Sequence, residues 1–207
     1  MIRDDEGELR CFWCGQTEDY RRYHNEEWGF PVDDDHRLFE KLCLEGFQSG
    51  LSWLTILRKR DNFREAFADF DFEQIARWRA KPRVEKLLNN AGIVRHRGKI
   101  EATLANAKAA VILAEEFGSL GAYFWSWEAQ ANKGRPRKLT KAALMKLGKT
   151  EASTAMAKDL KQRGFRFFGP TTAYAFMQAM GIVNDHIEGC ATRALCEQAR
   201  SEFVRPT

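Results

Sequence analysis

Two helices joined by a short turn are predicted by residues 161–172, which read Lys161-Gln162-Arg163-Gly164-Phe165-Arg166-Phe167-Phe168-Gly169-Pro170-Thr171-Thr172. Gly164 ends the first helix, because glycine readily takes up the left-handed conformation of a C-terminal cap. Pro170 suits the first turn of the second helix, where its missing N–H costs nothing. The pattern indicates a helix-hairpin-helix arrangement, although by itself it fits an ordinary pair of antiparallel helices equally well.

The start of the second helix is a candidate site for a phosphate group. A helix N-terminus presents free backbone N–H groups and the positive end of the helix dipole, and both favour an anion. Such contacts hold a nucleic-acid backbone without reading its sequence. The residues expected to face that backbone are Gly164, Phe165, Phe167, Gly169 and Thr171.

Positive charge is clustered along the chain, although the formal net charge is only +4. The clusters are Arg58 to Arg60, Arg95 to Lys99, Lys133 to Lys141 and Lys158 to Arg166. Clustered basic residues favour a polyanion as the partner. Solvated helix faces are the alternative, so charge alone does not decide between the two.

The length of 207 residues and a hydrophobic content of 44% are typical of one globular domain, or of two closely joined lobes. The sequence has neither an apolar run of about 18 residues nor a charged-then-apolar leader. We therefore expect no membrane span and a cytoplasmic location. We also expect a monomer. Five cysteines, an odd number, argue for reduced thiols and against a disulfide framework.

Apolar residues recur with helical spacing along most of the chain, so the sequence predicts an all-α fold. One helix is capped by Asp33 to Asp35 and carries Leu42 and Glu45 on the same face. A second amphipathic helix is expected over residues 51–67, and the Gly- and Pro-punctuated stretch 132–149 is expected to be a mobile loop or a lobe connection. Further helices are predicted near residues 73–79, 82–90, 98–117, 151–163, 171–180 and 191–202.

Cysteine and histidine side chains at the two ends of the sequence form a candidate metal site. Structural zinc takes four thiolate or imidazole ligands in a tetrahedron, with no position left for water. His186 and Cys190 would lie on one face of a helical turn, whereas Cys11 and His24 span a loop. Cys14 is a fifth candidate for four places. The alternative is that these side chains are simply packed in the interior, as free cysteines often are.

Glu45 is the most unusual residue of the sequence, because its spacing points a carboxylate inward from an apolar helix face. A buried charge without a partner is costly, so a basic side chain, a backbone amide or a ligand is expected beside it. Aromatic faces next to a carboxylate suit a flat cationic ligand. The aromatic candidates are Tyr20, Tyr23, Trp28 and Trp53, although each of them alone is explained as well by packing in the core.

Several separate motifs, in register over roughly residues 10 to 190, resemble the 3-methyladenine DNA glycosylase I family. They are Arg10-Cys11, residues 20–29 (YRRYHNEEWG), 44–53 (LEGFQSGLSW), 91–100 (AGIVRHRGKI), 164–169 (GFRFFG) and 183–190 (VNDHIEGC). Together they are far more specific than any one of them. The resemblance implies an N-terminal extension (residues 1–9), a glycosylase domain of two packed helical lobes (10–190) and a C-terminal tail (191–207).

The family implies an all-α helix-hairpin-helix DNA glycosylase fold in which a zinc-stapled lobe joins the two ends of the chain. It implies a structural zinc ion held by Cys11, His24, His186 and Cys190, with no role for Cys14. It also implies that Glu45 is the catalytic residue of a base pocket. The walls of that pocket are Tyr20, Tyr23 and Trp53, and we add Trp28 to them.

The implied activity is DNA repair, by hydrolysis of the N-glycosidic bond of 3-methyladenine in alkylated double-stranded DNA. The base must first be flipped out of the duplex. Gly50 and Leu51 are the candidate wedge that fills the gap. Methylation at N3 makes adenine cationic and weakens its glycosidic bond, so stacking and a carboxylate can favour the lesion without strong acid catalysis.

Related helix-hairpin-helix glycosylases carry a catalytic aspartate at about the position of Asn184, so the group that activates water stays unassigned. Its neighbour Asp185 is not taken as the base merely because it is a carboxylate. No lysine is placed like a Schiff-base nucleophile, and we therefore expect base release without strand cleavage. The alternative function is a non-catalytic, zinc-stabilised helical module that binds damaged DNA.

Overall fold

A computed structural model describes residues 1–3, 7–136 and 138–207. Within these residues the regular secondary structure is helical, apart from a short antiparallel pairing of β1 (Ile2–Arg3) with β2 (Leu9–Arg10), and two of the helical segments are single 3-10 turns. The all-α prediction is confirmed. The helices are α1 (Glu18–Glu26), α2 (Asp35–Gln48), α3 (Trp53–Leu57), α4 (Arg60–Ala66), α5 (Phe72–Ala76), α6 (Ala80–Leu88), α7 (Arg97–Phe117), α8 (Leu120–Trp125), α9 (Glu128–Asn132), α10 (Lys141–Leu144), α11 (Glu151–Gln162), α12 (Pro170–Ala179) and α13 (Ala191–Glu202).

The prediction of one helix over residues 51–67 is wrong, because the structure has two helices there, α3 and α4. Ser52 caps α3, and its hydroxyl accepts a hydrogen bond from the backbone N–H of Thr55 at 3.2 Å. The helix ends where the N–H of Lys59 turns to the carbonyl of Ile56 at 3.0 Å. The chain then changes direction before α4 begins.

Helix α2 lies in the middle of the core. It contacts α3, α7, α8 and α12, and every residue from Leu38 to Phe47 is buried. Its N-terminus is capped as predicted, since the Asp34 carboxylate accepts a hydrogen bond from the Arg37 N–H at 2.8 Å. Because the helix is enclosed on all sides, any charged side chain within it must find its partner inside the protein.

The turn between α11 and α12 has the predicted form. Gly164 has a φ of +96°, and the N–H of Phe165 donates to the carbonyl of Leu160 at 2.9 Å, which closes the helix cap. Helix α12 then begins at Pro170. The side chain of Asn106, on α7, donates to the Arg166 carbonyl at 3.1 Å and accepts from its N–H at 2.8 Å, so α7 holds the turn in place.

The segments outside the predicted domain also take part in the structure. The predicted tail forms α13, and Arg200 and Arg205 both bond to Glu128 on α9. The predicted loop 132–149 contains α10, capped by Thr140. Residues 4–6 of the predicted extension and Arg137 of the predicted loop lie outside the described residues. A helix long and apolar enough to cross a membrane is not found in the described part of the chain.

Gly181 is required where the end of α12 approaches the loop that leads to α2. Its φ is +75°, and an added Cβ would lie 2.5 Å from the carbonyl carbon of Phe30 and 2.6 Å from the nitrogen of Pro31. Gly181→Ala should therefore lower the free energy of unfolding by about 3 kcal/mol or more, as measured by urea denaturation.

The matched control is Gly118→Ala, since Gly118 has a similar φ of +87° and an added Cβ there would meet no atom within 4 Å. Backbone strain alone should cost about 1–2 kcal/mol at that position. Equal losses in the two variants would show that the close approach at Gly181 does not matter.

Candidate active site and metal centre

A cavity of about 360 Å³ lies between α1, α2, α3, α10 and α12. All five residues predicted for a base pocket line it, namely Tyr20, Tyr23, Trp28, Glu45 and Trp53. The ring centroids of Tyr23 and Trp53 are 5.3 Å apart, and the rings of Tyr20 and Tyr23 are stacked at 6.4 Å. Helices distant in sequence thus bring the predicted aromatic rings and the carboxylate to one space.

Sequence reasoning missed several residues of the cavity wall. Trp13 packs against Tyr20 at 5.4 Å and against Trp28 at 4.8 Å between ring centroids. Gln48 follows Glu45 by three positions, and this helical spacing was a usable signal. The other missed wall residues are Phe12, Leu144, Met145, Leu147, Ala175 and Gln178, for which the local sequence gave no comparable sign.

The Glu45 carboxylate is buried and paired within its own helix. Lys41 Nζ lies 2.8 Å from Glu45 Oε1, and it also donates to the hydroxyl of Tyr23 at 2.7 Å. The same ammonium lies 3.2 Å from the centroid of the Trp53 ring. The buried charge therefore has the basic partner that the sequence allowed for, although Lys41 itself was not predicted. The signal was present, because residues four apart share a helix face.

Burial is the largest cause of the pKa shifts of three groups around the cavity. It lowers the pKa of the Lys41 ammonium, and the nearby Glu45 carboxylate opposes that shift. Burial also raises the pKa of the Tyr23 hydroxyl well above its ordinary value, with a further contribution from Glu45. The pKa of Tyr20 is raised for the same two reasons, burial first, with the Cys14 thiol contributing as well. Both tyrosines are therefore neutral at physiological pH.

The predicted wedge residues form the exposed turn between α2 and α3. Gly50 has a φ of +85°, and the Leu51 side chain is 43% exposed. The N–H of Leu51 donates to the carbonyl of Gln48 at 2.6 Å, and Gln48 lines the cavity. The turn is thus tied directly to the cavity wall.

The predicted hairpin residues differ in their exposure. Gly164, Gly169 and Thr171 are exposed, and Phe167 is 44% exposed with a φ of +55°. The Phe165 side chain is buried in the core, so only its backbone can reach a ligand. The aromatic residue available at the surface of the turn is therefore Phe167.

Neither Asn184 nor Asp185 faces the cavity. The amide of Asn184 donates to the Arg193 carbonyl at 3.1 Å and to Glu197 at 2.8 Å. Asp185 is fully buried and accepts hydrogen bonds from Arg135, Tyr174 and Gln178. Both side chains are occupied by structural contacts, so neither is placed to activate a water molecule in the cavity.

Four buried side chains from the two ends of the described chain converge on one point. Their ligand atoms lie within 4.8 Å of one another, and the residues are Cys11, His24, His186 and Cys190. The predicted four-residue set is therefore brought together, and it could hold a metal ion. Cys14 is not part of the group, because its thiol donates to the backbone carbonyl of Cys11 at 3.2 Å. Burial raises the pKa of this Cys14 thiol to about 11.

The outer nitrogen of each of the two histidine rings has a hydrogen-bond acceptor beside it. His186 Nε2 lies 2.8 Å from the carbonyl oxygen of Trp28 and must donate to it. His24 Nδ1 lies 2.8 Å from the side-chain oxygen of Asn25 and donates in the same way. The remaining nitrogens, His24 Nε2 and His186 Nδ1, face each other at 3.2 Å. With the ring protons on the outer nitrogens, the two inner nitrogens both present lone pairs to the cluster, and such a donor set fits a metal ion.

The family model described as methyladenine glycosylase matches residues 13–194. The chain belongs to this family. It is 43% identical over 182 residues to the DNA-3-methyladenine glycosylase 1 of Escherichia coli K12, covering 87% of this chain and 95% of the relative. The 3-methyladenine DNA glycosylase I of Staphylococcus aureus, solved to explain 3-methyladenine recognition, is 34% identical with a TM-score of 0.80, covering 89% of this chain and 96% of that one.

A second solved structure, of a 3-methyladenine DNA glycosylase I carrying one tyrosine-to-phenylalanine substitution, was determined in complex with 3-methyladenine. It is 34% identical with a TM-score of 0.80, and the match covers 89% of this chain and 97% of that one. The similarity extends over nearly the whole length of each relative and over 87–89% of this chain, so the family assignment applies to most of the fold described above.

The metal centre can be tested with a pair of cysteine variants. Cys190→Ser removes one of the four converging ligands and should lower both the metal content of the purified protein and its free energy of unfolding. Cys14→Ser, which changes a buried thiol three residues from Cys11, should keep the full metal content. The measurement is elemental analysis per chain. Full occupancy in Cys190→Ser would remove that residue from the site.

Proposed function

We propose that this chain is a DNA repair enzyme that hydrolyses the N-glycosidic bond of 3-methyladenine in alkylated DNA. The observation that carries the proposal is the placement of the Glu45 carboxylate at a cavity walled by Tyr20, Tyr23 and Trp53. A flat cationic base would stack on the aromatic rings, and its N–H groups would donate to the carboxylate. Trp28 would close the wall of this base pocket. Family membership agrees with the same chemistry.

The proposed reaction needs no general acid to protonate the leaving base. When the bond between the sugar C1′ and the base breaks, its electron pair moves to the base and neutralises the positive charge of the methylated ring. The leaving group therefore needs no proton, and water completes the reaction at C1′. Glu45 would be the catalytic residue through its contact with the base, and no side chain is assigned to activate the water.

The proposed substrate is double-stranded DNA, which the protein would bind as a monomer in the cytoplasm. The turn 164–169 and the start of α12 would form the helix-hairpin-helix grip on the DNA backbone, with exposed backbone N–H groups at Gly169 and Thr171 facing a phosphate. Leu51 would fill the space left by the flipped base, because its exposed side chain stands on a turn anchored at the cavity wall.

The metal of the four-ligand centre is proposed to be structural zinc. Zinc bonds of about 2.0–2.1 Å to nitrogen and 2.3 Å to sulfur give tetrahedral edges of about 3.3 Å between nitrogens and about 3.6 Å from nitrogen to sulfur. The two histidine nitrogens are 3.2 Å apart, and three of the nitrogen–sulfur distances are 3.5–3.7 Å, while all four ligand atoms lie within 4.8 Å of one another. Four protein ligands leave no open position, so the ion would join the chain ends without taking part in the chemistry.

The alternative of a DNA-binding module without activity is not favoured. A binding module has no need of a cavity lined by a buried, paired carboxylate, and the relatives that match along nearly their whole length are glycosylases.

The first test is the release of free 3-methyladenine from methylated DNA. Glu45→Gln should lower kcat/KM for this release by about tenfold or more, because a hydrogen bond to a charged acceptor contributes about 1.5–3 kcal/mol. Glu73→Gln, the same change on the exposed face of α5, is the matched control and should behave like the native chain. Equal activity of Glu45→Gln and the native chain would refute the role of Glu45.

The second test concerns strand cleavage. A monofunctional enzyme forms no imine with the sugar, so borohydride added during turnover should trap no covalent protein–DNA adduct, and the DNA should stay intact until the abasic site is treated with alkali. A trapped adduct on methylated DNA would contradict base release by water alone.

A further inference from the structure

Lys41 contacts three parts of the base cavity at once. Its ammonium bonds to Glu45 Oε1 at 2.8 Å and to the Tyr23 hydroxyl at 2.7 Å, and it lies 3.2 Å from the centroid of the Trp53 ring. The lysine side chain is only 6% exposed. A lysine stem buried to this extent gives up hydration and side-chain freedom, so its position needs an explanation.

Lys41 approaches these groups from behind the base cavity. It lines a second, smaller cavity of about 210 Å³, and Tyr23 and Trp53 line both cavities. Glu45, in contrast to Lys41, lines the base cavity and does not line this smaller rear cavity. The ammonium therefore occupies one carboxylate oxygen from the rear. No hydrogen bond to the other oxygen, Oε2, is found among the described residues, so a base can use it as an acceptor.

Lys41 is the cation paired with Glu45, because the arginines beyond it are paired with other carboxylates. Beyond it in the rear cavity, Arg60 is bound to Glu27, with Nη2 2.9 Å from Oε1, and Arg37 contacts Glu27 and Glu40. The groups that face the carboxylate from α1 are the neutral hydroxyls of Tyr20 and Tyr23. On α3 the facing group is the uncharged indole of Trp53, and on α12 it is the amide of Gln178.

A carboxylate buried among aromatic rings takes up a proton when it has no cation beside it. The protonated form is a poorer acceptor for the N–H groups of a cationic base and adds no charge attraction. An adjacent ammonium prevents this protonation. It also makes the pair neutral overall, so that the carboxylate acts on the base through directed hydrogen bonds at close range more than through net charge.

We propose that Lys41 is a positioning residue for base recognition: it keeps Glu45 ionised, turns Oε2 towards the base cavity and supports the rings of Tyr23 and Trp53 from behind. The inference rests on the proposed role of Glu45 as the acceptor for the base. It adds a specificity-determining contact that does not touch the base itself.

The test is the pH dependence of kcat/KM for 3-methyladenine release from methylated DNA between pH 5.5 and 8.5. The positive charge of the methylated nucleotide in DNA is permanent, so a loss of activity at low pH reports on the protein. In the native chain the profile should be nearly flat at its acid end. In Lys41→Met it should fall by about tenfold or more between the upper and lower ends of the range, because each unit of raised pKa makes a tenfold difference in ionisation.

Two further variants separate positioning from simple support. Lys41→Arg keeps a cation beside Glu45 and should restore the flat profile, even if its larger head lowers the overall rate. The double variant Lys41→Met, Glu45→Gln should lose the acid limb, because glutamine does not titrate. If Lys41→Met does not fold, Lys41→Gln replaces it, because glutamine keeps a hydrogen-bond donor without the charge. Lys108→Met, on the exposed face of α7, is the control for the removal of a lysine charge.

The outcomes distinguish the two roles. An acid limb that appears in Lys41→Met and is absent from both Lys41→Arg and the double variant supports the inference. A flat profile in Lys41→Met or its glutamine substitute, while Glu45→Gln is impaired, would overturn the role of Lys41 and leave the proposed function standing. Native activity in Glu45→Gln would overturn the proposed function itself.

Discussion

A negative charge enclosed by aromatic rings is the constraint around which this molecule is organised. Glu45 lies on a helix buried on every side, where an isolated carboxylate would be protonated or would destabilise the fold. Lys41 offsets that cost from one turn earlier on the same helix. Removing one partner of a buried ion pair typically costs about 3–5 kcal/mol, whereas replacing both partners by well-packed apolar residues is often neutral or stabilising. Stability alone therefore does not explain the pair, and a use for its charge does. Here the charge lies at a cavity where all the predicted aromatic residues meet, and we propose its use there in base recognition.

The joined ends of the chain give that cavity its shape. Tyr20, Tyr23 and Trp28 belong to the N-terminal segment, while Gln178 comes from α12, far along the chain. The converging cysteine and histidine side chains hold these segments together, and His186 also donates to the backbone of Trp28. A metal ion at this centre would therefore support the proposed base recognition at a distance, by fixing the wall of the cavity against the helix that follows the proposed DNA-facing turn.

Most of the helices and the five predicted pocket residues could be predicted from the sequence. Helical periodicity and caps located α2, α7, α11 and α12, because those signals lie within a few residues of each other. The break between α3 and α4 was missed because the apolar spacing continues across the turn at Lys59. The place of Cys14 stayed open in the sequence, since its spacing from Cys11 is as suitable as any. The fold decides which of the two cysteines joins the cluster, because it turns the Cys14 thiol away towards the backbone carbonyl of Cys11.

Lys41 shows most clearly what sequence reasoning left out. Its spacing from Glu45 implied proximity, but its contact with the Trp53 ring depends on how α3 packs against α2. The central claim is that Glu45 receives the base in the cavity between the aromatic rings, with Lys41 behind it. A crystal structure of the protein soaked with free 3-methyladenine tests this most directly. The account predicts the base stacked on the rings of Tyr23 or Trp53, within hydrogen-bonding distance of Glu45 Oε2 and with Lys41 still on Oε1. A base bound elsewhere, or one in the cavity without contact to Glu45, would contradict it.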